Sequence, residues 1–136
     1  MKARKIFLGV RIPKEVARRL AVRMEAWKAL PLRPSKERNL HVTVLFIGFR
    51  SDEDIATIAA RVAEICPTIE AFDVTLDRIG FSPTDGDASE RGNMVWFTGE
   101  ESAELLALSN RLEVALDIAT APRKHFRPHI TLARVR

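Results

Sequence analysis

The sequence predicts one α+β domain over residues 1–136, built as two similar lobes on either side of a central cleft. Each lobe is expected to hold a small, mostly antiparallel sheet with helices on its outside. Strand-like and helix-like patterns follow one another in the order β-α-β-α-β-β-α-β. Two strand–helix–strand units, residues 5–47 and roughly 94–135, each end in a strand that contains a histidine followed two residues later by a threonine. This repetition predicts an internal duplication with a pseudo-two-fold axis. Because no low-complexity linker separates the halves, we expect them to be two lobes of one domain.

The first half is predicted to contain two strands and one helix. Apolar residues alternate over residues 5–12, which indicates a half-buried strand that ends at Pro13. Apolar residues then recur at helical spacing over residues 16–27, and residues 32–39 read as a polar loop. In the next strand, residues 40–48, alternation divides the side chains between two faces. Leu40, Val42, Val44 and Phe46 share one face, whereas His41 and Thr43 take the other.

The second half is predicted to begin with a helix that Ser51 caps. The serine hydroxyl precedes three acidic residues, a pattern that favours a helix start, and the helix runs to about residue 65. The remaining elements are strands over residues 72–81, 94–98 and 126–136, a helix over 102–117, and loops over 82–92 and 119–124.

Composition narrows the class of protein. Apolar residues make up 46% of the chain and charged residues 29%, which is typical of a globular protein. No run of about 18 uncharged apolar residues exists, so no membrane span is predicted. The basic N-terminus is followed by an apolar run broken by Arg11 and Pro13, unlike a signal peptide, and we expect a cytoplasmic monomer. The single cysteine, Cys66, lies at helical spacing among apolar residues and is expected to be a buried, inert thiol.

Charge is segregated along the chain, although the net charge is only +4. Residues 1–40 carry 12 Lys and Arg against 3 Asp and Glu, residues 41–121 carry 5 against 15, and residues 122–136 carry 5 against none. If the two basic ends meet in the fold, they form a positive surface that attracts a polyanion in a salt-sensitive way. The alternative is that the basic helix faces are simply solvated.

The repeated string is His41-Val42-Thr43-Val44 in the first half and His129-Ile130-Thr131-Leu132 in the second. On a strand, residues i and i+2 point to the same side, about 7 Å apart. Each string therefore presents one imidazole and one hydroxyl together. Two of the chain's three histidines carry a threonine at this spacing, and this duplication is what favours a functional interpretation over ordinary strand residues.

Two imidazoles and two hydroxyls around one anion are suited to acid–base chemistry on a phosphate. One histidine can deprotonate the incoming oxygen while the other protonates the departing one. The threonine hydroxyls can donate hydrogen bonds to the phosphoryl oxygens. This arrangement requires no metal and no cofactor.

Three alternatives stay open at this point. His125 and His129 are four residues apart and could bind a metal from one helix face, although Pro128 disfavours a helix there. A non-catalytic module that binds single-stranded RNA would use the basic segments, but it has no need of paired histidines. A scaffold protein would contain both strings for structural reasons only.

Three segments have a pattern that is found together in a known family: residues 5–13 (KIFLGVRIP), residues 39–48 (NLHVTVLFIG) and residues 126–134 (FRPHITLAR). They resemble the RNA 2',3'-cyclic phosphodiesterases, also called 2'-5' RNA ligases, of the 2H phosphoesterase superfamily. The resemblance runs nearly end to end, and the last segment is its most specific part. It implies a bilobal α+β fold and metal-independent opening of 2',3'-cyclic phosphate ends of RNA or nucleotides to a 2'-phosphate. Reversible 2'-5' RNA ligation is implied as well.

The resemblance also implies roles for individual residues. His41 would donate a proton to the departing 3' oxygen and His129 would accept one from water, while Thr43 and Thr131 would hold the phosphate. Arg134 matches an arginine that the family places near the phosphate. Strict alternation, however, puts Arg134 on the face opposite to His129, and only a bulge or the end of the strand would bring it back.

Phe7 alternates onto the polar face of the first strand, with Lys5 and Arg11, and is a candidate for stacking on a base.

Overall fold

The structure, a computed structural model, describes residues 2–82, 92–118 and 125–136. The predicted loop over residues 119–124 lies outside the described residues, as does the part of the loop over 82–92 that comprises residues 83–91. The described strands and helices are β1 (Ala3–Arg11), α1 (Lys14–Met24), β2 (Leu32–Pro34), β3 (His41–Ser51), α2 (Asp52–Ile65), β4 (Arg78–Phe81), β5 (Met94–Thr98), α3 (Ala103–Leu116) and β6 (His129–Val135).

The predicted α+β class is confirmed by an antiparallel sheet and three helices in the described ranges. Hydrogen bonds link the strands in the order β1-β3-β6-β5-β4, with β2 also beside β6. The prediction of two separate sheets is wrong, because the strands form one sheet. The two strands that contain the His-x-Thr strings, β3 and β6, join its halves, since they pair antiparallel at Val42 and Ile130.

The chain divides into two compact units. Unit 1 comprises residues 1–9, 43–74 and 101–126, and unit 2 comprises residues 10–42, 75–100 and 127–136. None of the helices in the described ranges combines the length and apolar character needed to cross a membrane.

Unit 1 contains α2 and α3, and both begin at serine caps. The Ser51 hydroxyl accepts a hydrogen bond from the Asp54 backbone N–H at 3.2 Å, which confirms the predicted helix start. The Ser102 hydroxyl accepts one from the Leu105 N–H at 3.1 Å. Such caps satisfy backbone donors that a helix leaves unpaired at its first turn.

Two predictions for unit 1 are wrong. Phe46 was assigned to the apolar face of β3, but it is 55% exposed and contacts Phe7, while Leu45 is fully buried and Ile47 is 7% exposed. Val44, predicted on the same face as Phe46, is 3% exposed, so β3 is buried on both faces at Val44 and Leu45, and after them on the face of Leu45 and Ile47. Cys66 is exposed, since no residue of α2 is buried and a place on the apolar stripe of that helix does not enclose the thiol.

Unit 2 has a core that joins α1 to the sheet. Leu20 and Met24 were predicted on the apolar stripe of the first helix, and both are buried. They belong to one cluster with Val95 of β5 and with the β6 residues Ile130, Leu132 and Ala133. This core fixes β6 from one side.

Two strand predictions in unit 2 need correction. Residues 32–34, predicted as loop, form β2 because they pair with the end of β6, and the Ser35 backbone N–H donates to the Leu132 carbonyl at 2.8 Å. Of the strand predicted over residues 72–81, only β4 forms. Its partner β5 ends at Thr98, opposite Arg78, so there is no ladder for the earlier residues to join.

The pairing of β2 with β6 brings the two basic stretches of the sequence together in unit 2. Arg33 lies opposite Arg134, and the Arg136 backbone N–H donates to the Pro31 carbonyl at 2.9 Å. The condition for a local positive surface is therefore met at this edge of the sheet.

Candidate active site

Both predicted histidines lie in unit 2, on neighbouring strands and on the same face. Val42 packs against the core and pairs with Ile130, which is 1% exposed. Side chains alternate between the faces of a sheet, so the residues flanking this apolar pair point to the opposite side. His41 on β3 and His129 and Thr131 on β6 therefore share the face away from the core.

The two histidines repeat one hydrogen-bond pattern. The Nδ1 atom of His41 lies 2.6 Å from the Asn39 carbonyl oxygen, and Nδ1 of His129 lies 3.4 Å from the Arg127 carbonyl oxygen. Each contact joins the ring to the backbone two residues earlier. A carbonyl can only accept, so it favours the tautomer with the proton on Nδ1, which makes Nε2 the ring atom that exchanges protons.

The ring of His129 is stacked on the indole of Trp96. The ring centroids are 3.8 Å apart with an interplanar angle of 13°. Trp96 is 7% exposed, and its buried Nε1–H has no hydrogen-bond partner among the described residues. The stack fixes the plane of the imidazole and shields one of its faces from water.

The pKa of His129 lies below its usual value of 6.5. Burial is the main cause, because it disfavours the charged imidazolium. The Arg127 carbonyl opposes this shift, and the charge of His41 adds to it, which indicates that the two rings are close enough to interact. His129 is consequently neutral, and able to accept a proton, at pH 7.

A β-bulge changes which residues of β6 face the site. Trp96 pairs with Thr131, but the preceding residue Val95 pairs with Ala133, so Leu132 is an extra residue with no partner on β5. Leu132 and Ala133 are both buried, at 1% and 0% exposure, as expected where a bulge interrupts alternation.

The bulge brings Arg134 onto the histidine face. Along β5, Met94, Trp96 and Thr98 alternate onto one face, and their partners on β6 are Arg134, Thr131 and His129. Paired residues share a face, so these three form one row. Strict alternation places Arg134 on the opposite face, which is wrong because Leu132 is an extra residue and shifts the alternation of the residues after it by one position.

Arg33 is a site candidate that sequence reasoning missed. It lies directly opposite Arg134 and therefore points to the same face. The sequence predicts a loop over residues 32–39, because a three-residue strand contains too little alternation to be recognised. The basic character of this stretch was the only sequence signal for it.

The other predicted site residues, Thr43 and Phe7, lie in unit 1. Thr43 is half-buried on β3, two residues after His41, as predicted. Phe7 is 46% exposed and its ring centroid is 6.2 Å from that of Phe46. Their roles at the phosphate and at a base stay predictions.

The third histidine, His125, does not share a helix face with His129, which the alternative of a metal site required. His125 lies in unit 1, with Nδ1 3.0 Å from Glu101 Oε2, and residues 125–128 are not helical. Among the described residues, no group of three or more His, Cys, Asp or Glu side chains could hold a metal ion.

Solved structures share this fold. E. coli LigT complexed with 3'-AMP matches with a TM-score of 0.72 at 24% identity, over 98% of this chain and 73% of that chain. TT0787 of Thermus thermophilus matches with a TM-score of 0.65 at 24% identity, over 97% of this chain and 74% of that chain. The fold is thus the LigT-like class of α+β proteins.

Sequence comparison identifies the family within that class. The model of the 2'-5' RNA ligase superfamily matches residues 13–136, and the chain belongs to this family. The RNA 2',3'-cyclic phosphodiesterase of Archaeoglobus fulgidus is 31% identical over 99 residues, which are 72% of this chain and 53% of that protein. The protein of the same name from Aeropyrum pernix is 31% identical over 114 residues, 82% of this chain and 61% of that protein. The chain thus spans little more than half the length of these two relatives.

Proposed function

We propose that this protein is a phosphodiesterase that opens 2',3'-cyclic phosphate ends of RNA or nucleotides to leave a 2'-phosphate, without a metal ion. The observation that carries the proposal is the common face of His41 and His129 on paired strands, each with Nδ1 directed at a backbone carbonyl. The names of the relatives support the substrate class. The resemblance of the His-x-Thr segments to that family supports the roles below.

In the proposed reaction, Nε2 of neutral His129 accepts a proton from water as the water oxygen attacks phosphorus. The bond from phosphorus to the 3' oxygen breaks, and Nε2 of protonated His41 donates its proton to that oxygen. One proton is gained by His129 and one is lost by His41, so exchange with solvent restores both. The lowered pKa of His129 supports its assignment as the base.

The charge that develops on the phosphoryl oxygens needs donors that are already in position. We assign this role to the hydroxyls of Thr43 and Thr131 and to the guanidinium of Arg134. Two observations support the assignment for β6. Arg134 lies in the same row as Thr131, and the Thr131 backbone carbonyl accepts from the Ser35 hydroxyl at 2.9 Å, which ties this strand to the segment before β3.

We also propose that the fold is an internal duplication with a pseudo-two-fold axis and a central cleft. The same site would join RNA through a 2'-5' linkage by reversal of ring opening, and Phe7 would stack on a base. The protein would act as a monomer in the cytoplasm.

The test is hydrolysis of a nucleoside 2',3'-cyclic phosphate in the presence of excess chelator, with the products separated into 2'- and 3'-monoesters. We expect a 2'-monoester, undiminished by the chelator. His41→Ala and His129→Ala should each lower the rate by about 10²–10⁴. His125→Ala is the matched control, because this exposed histidine pairs with Glu101 and lies outside the proposed machinery. Binding of RNA without turnover would contradict the proposal and favour a binding module.

A further inference from the structure

Arg33 and Arg134 form a pair of guanidinium groups at the end of the row that contains the proposed catalytic base. Arg33 of β2 is the direct antiparallel partner of Arg134. Side chains opposite each other on an antiparallel pair have Cβ atoms about 4.5–5.5 Å apart. Both arginines are exposed and, by register, both point to the face that carries His129 and Thr131.

Like charges directly opposite each other destabilise an antiparallel pair, and an anion bound between them relieves the repulsion. Three other cations of unit 2 have carboxylate partners: Arg19 pairs with Glu15 at 3.0 Å, Lys28 with Glu25 at 2.7 Å, and Arg78 with Glu100 at 2.6 Å. Within residues 2–82, 92–118 and 125–136, neither Arg33 nor Arg134 forms an ion pair. What sets these two arginines apart is their direct cross-strand pairing, which gives them the charge and the placement to bind an anion.

The register places Arg33 further from His129 than any residue of the row on β6. Thr131 lies about 7 Å along the row from His129, and Arg134, after the bulge, lies about one further such step away. Arg33 is displaced sideways by about another 5 Å. Of the two arginines, Arg134 is therefore the nearer to a phosphoryl group held by His129 and Thr131, and Arg33 is available to a neighbouring anionic group.

We propose that Arg33 binds a second phosphate, next to the reacting phosphate assigned to Arg134: the phosphodiester that joins the reacting nucleotide to the nucleotide before it. This inference rests on the proposed function. It makes an RNA strand of two or more nucleotides the preferred substrate over a cyclic mononucleotide. Arg33 is then a residue that determines substrate length and does not contact the reacting bonds. Paired guanidinium forks suit this ligand because each can bind two phosphate oxygens.

The experiment compares two substrates, adenosine 2',3'-cyclic phosphate and a short oligoadenylate that ends in the same cyclic phosphate. Arg33→Gln should lower kcat/KM for the oligomer by about tenfold and leave kcat/KM for the mononucleotide unchanged. The matched control is Arg23→Gln, which removes an equal charge from an exposed position in the last turn of α1. It should leave the ratio of the two substrates unchanged.

A binding measurement makes the test independent of turnover. Fluorescence anisotropy is recorded for a labelled oligoadenylate that ends in a 2'-phosphate, over a range of salt concentrations. Arg33→Gln should weaken this binding and reduce the slope of log affinity against log salt by about one phosphate contact. Without any oligonucleotide, the same variant should have a slightly higher melting temperature, since the repulsion within the pair is gone.

The outcomes separate the two proposals. Loss of activity on both substrates to the same extent would overturn the second-phosphate assignment, as would an Arg33→Gln variant that treats both substrates like the wild type. Failure of the wild type to hydrolyse either substrate would overturn the proposed function. The anisotropy and its salt slope would then decide the role of Arg33, and unchanged values in the variant would reject it.

Discussion

The stack of Trp96 on His129 predicts that the pKa of the proposed base depends on a buried tryptophan to which the proposed reaction assigns no chemical step. The perturbation is Trp96→Leu, which removes the aromatic face while keeping an apolar side chain at a position that is 7% exposed. Water then reaches a face of the imidazole that the indole covers at a centroid distance of 3.8 Å. Burial is the main cause of the lowered pKa of His129, so the pKa should rise toward 6.5.

The two expected effects differ in size and in pH range. The rise of the pKa of His129 lowers kcat/KM only where it converts neutral imidazole into imidazolium, so the loss should be confined to pH values below about 6.5. Loss of the aromatic contact itself removes about 0.5–1.5 kcal/mol of stability beyond the buried area. Stability should fall by less than the roughly 3–5 kcal/mol of a Trp→Ala change, since leucine fills part of the space and the unpartnered indole N–H disappears as well.

The assay is the pH dependence of kcat/KM on a cyclic mononucleotide between about pH 5 and 9, together with an NMR titration of the His129 ring. Trp96→Phe is the matched control, because it also removes the N–H but keeps an aromatic face. A folded Trp96→Leu variant whose His129 titrates at the wild-type pH, or below it, would refute the reasoning.

Three further predictions concern stability and phosphate binding. Because the pKa of His129 is lowered in the folded state, the unfolded chain takes up the proton first as the pH falls. Stability should therefore be complete above pH 6.5 and be lost as the pH falls from 6.5 toward the folded pKa. Urea midpoints should show this slope and lose it in His129→Asn. Ile130→Ala, at a position 1% exposed, should lower the free energy of unfolding by about 2–5 kcal/mol, whereas Val114→Ala, at 83% exposure, should change it by less than about 0.5 kcal/mol. An equal effect of the two would contradict the described core. Thr131→Val should lower kcat by about 10²-fold at unchanged melting temperature, with Thr57→Val on α2 as the control, and an active Thr131→Val variant would remove the hydroxyl from the phosphate site.

Local patterns were sufficient for much of the fold and for the two histidines. Alternation on a strand depends only on the backbone period, so the common orientation of His129 and Thr131 could be predicted from their spacing. The cap at Ser51 is equally local, since its partner is the Asp54 N–H three residues later. The α+β class followed from the sequence of such patterns along the chain.

The errors have a shared physical origin in non-local pairing. The three residues of β2 become a strand because the end of β6 offers them a partner, and no property of residues 32–34 alone reveals this. The early part of the predicted fourth strand fails for the converse reason, since β5 ends opposite Arg78. Burial of Leu45 in place of Phe46 likewise depends on which face of β3 unit 1 covers.

The extra residue Leu132 shifts the alternation of β6 by one position, so that every side chain after it points to the other surface of the sheet than strict alternation predicts. For this chain, the spacing His-x-Thr-x-x-Arg is consequently more informative than either half of it, because an odd interval between Thr131 and Arg134 can serve one surface only where the strand contains an insertion. Deleting Leu132 would leave the composition of the strand almost intact and turn Arg134 toward the hydrocarbon interior. Substituting Leu132 by another apolar residue would preserve the bulge and the orientation of Arg134.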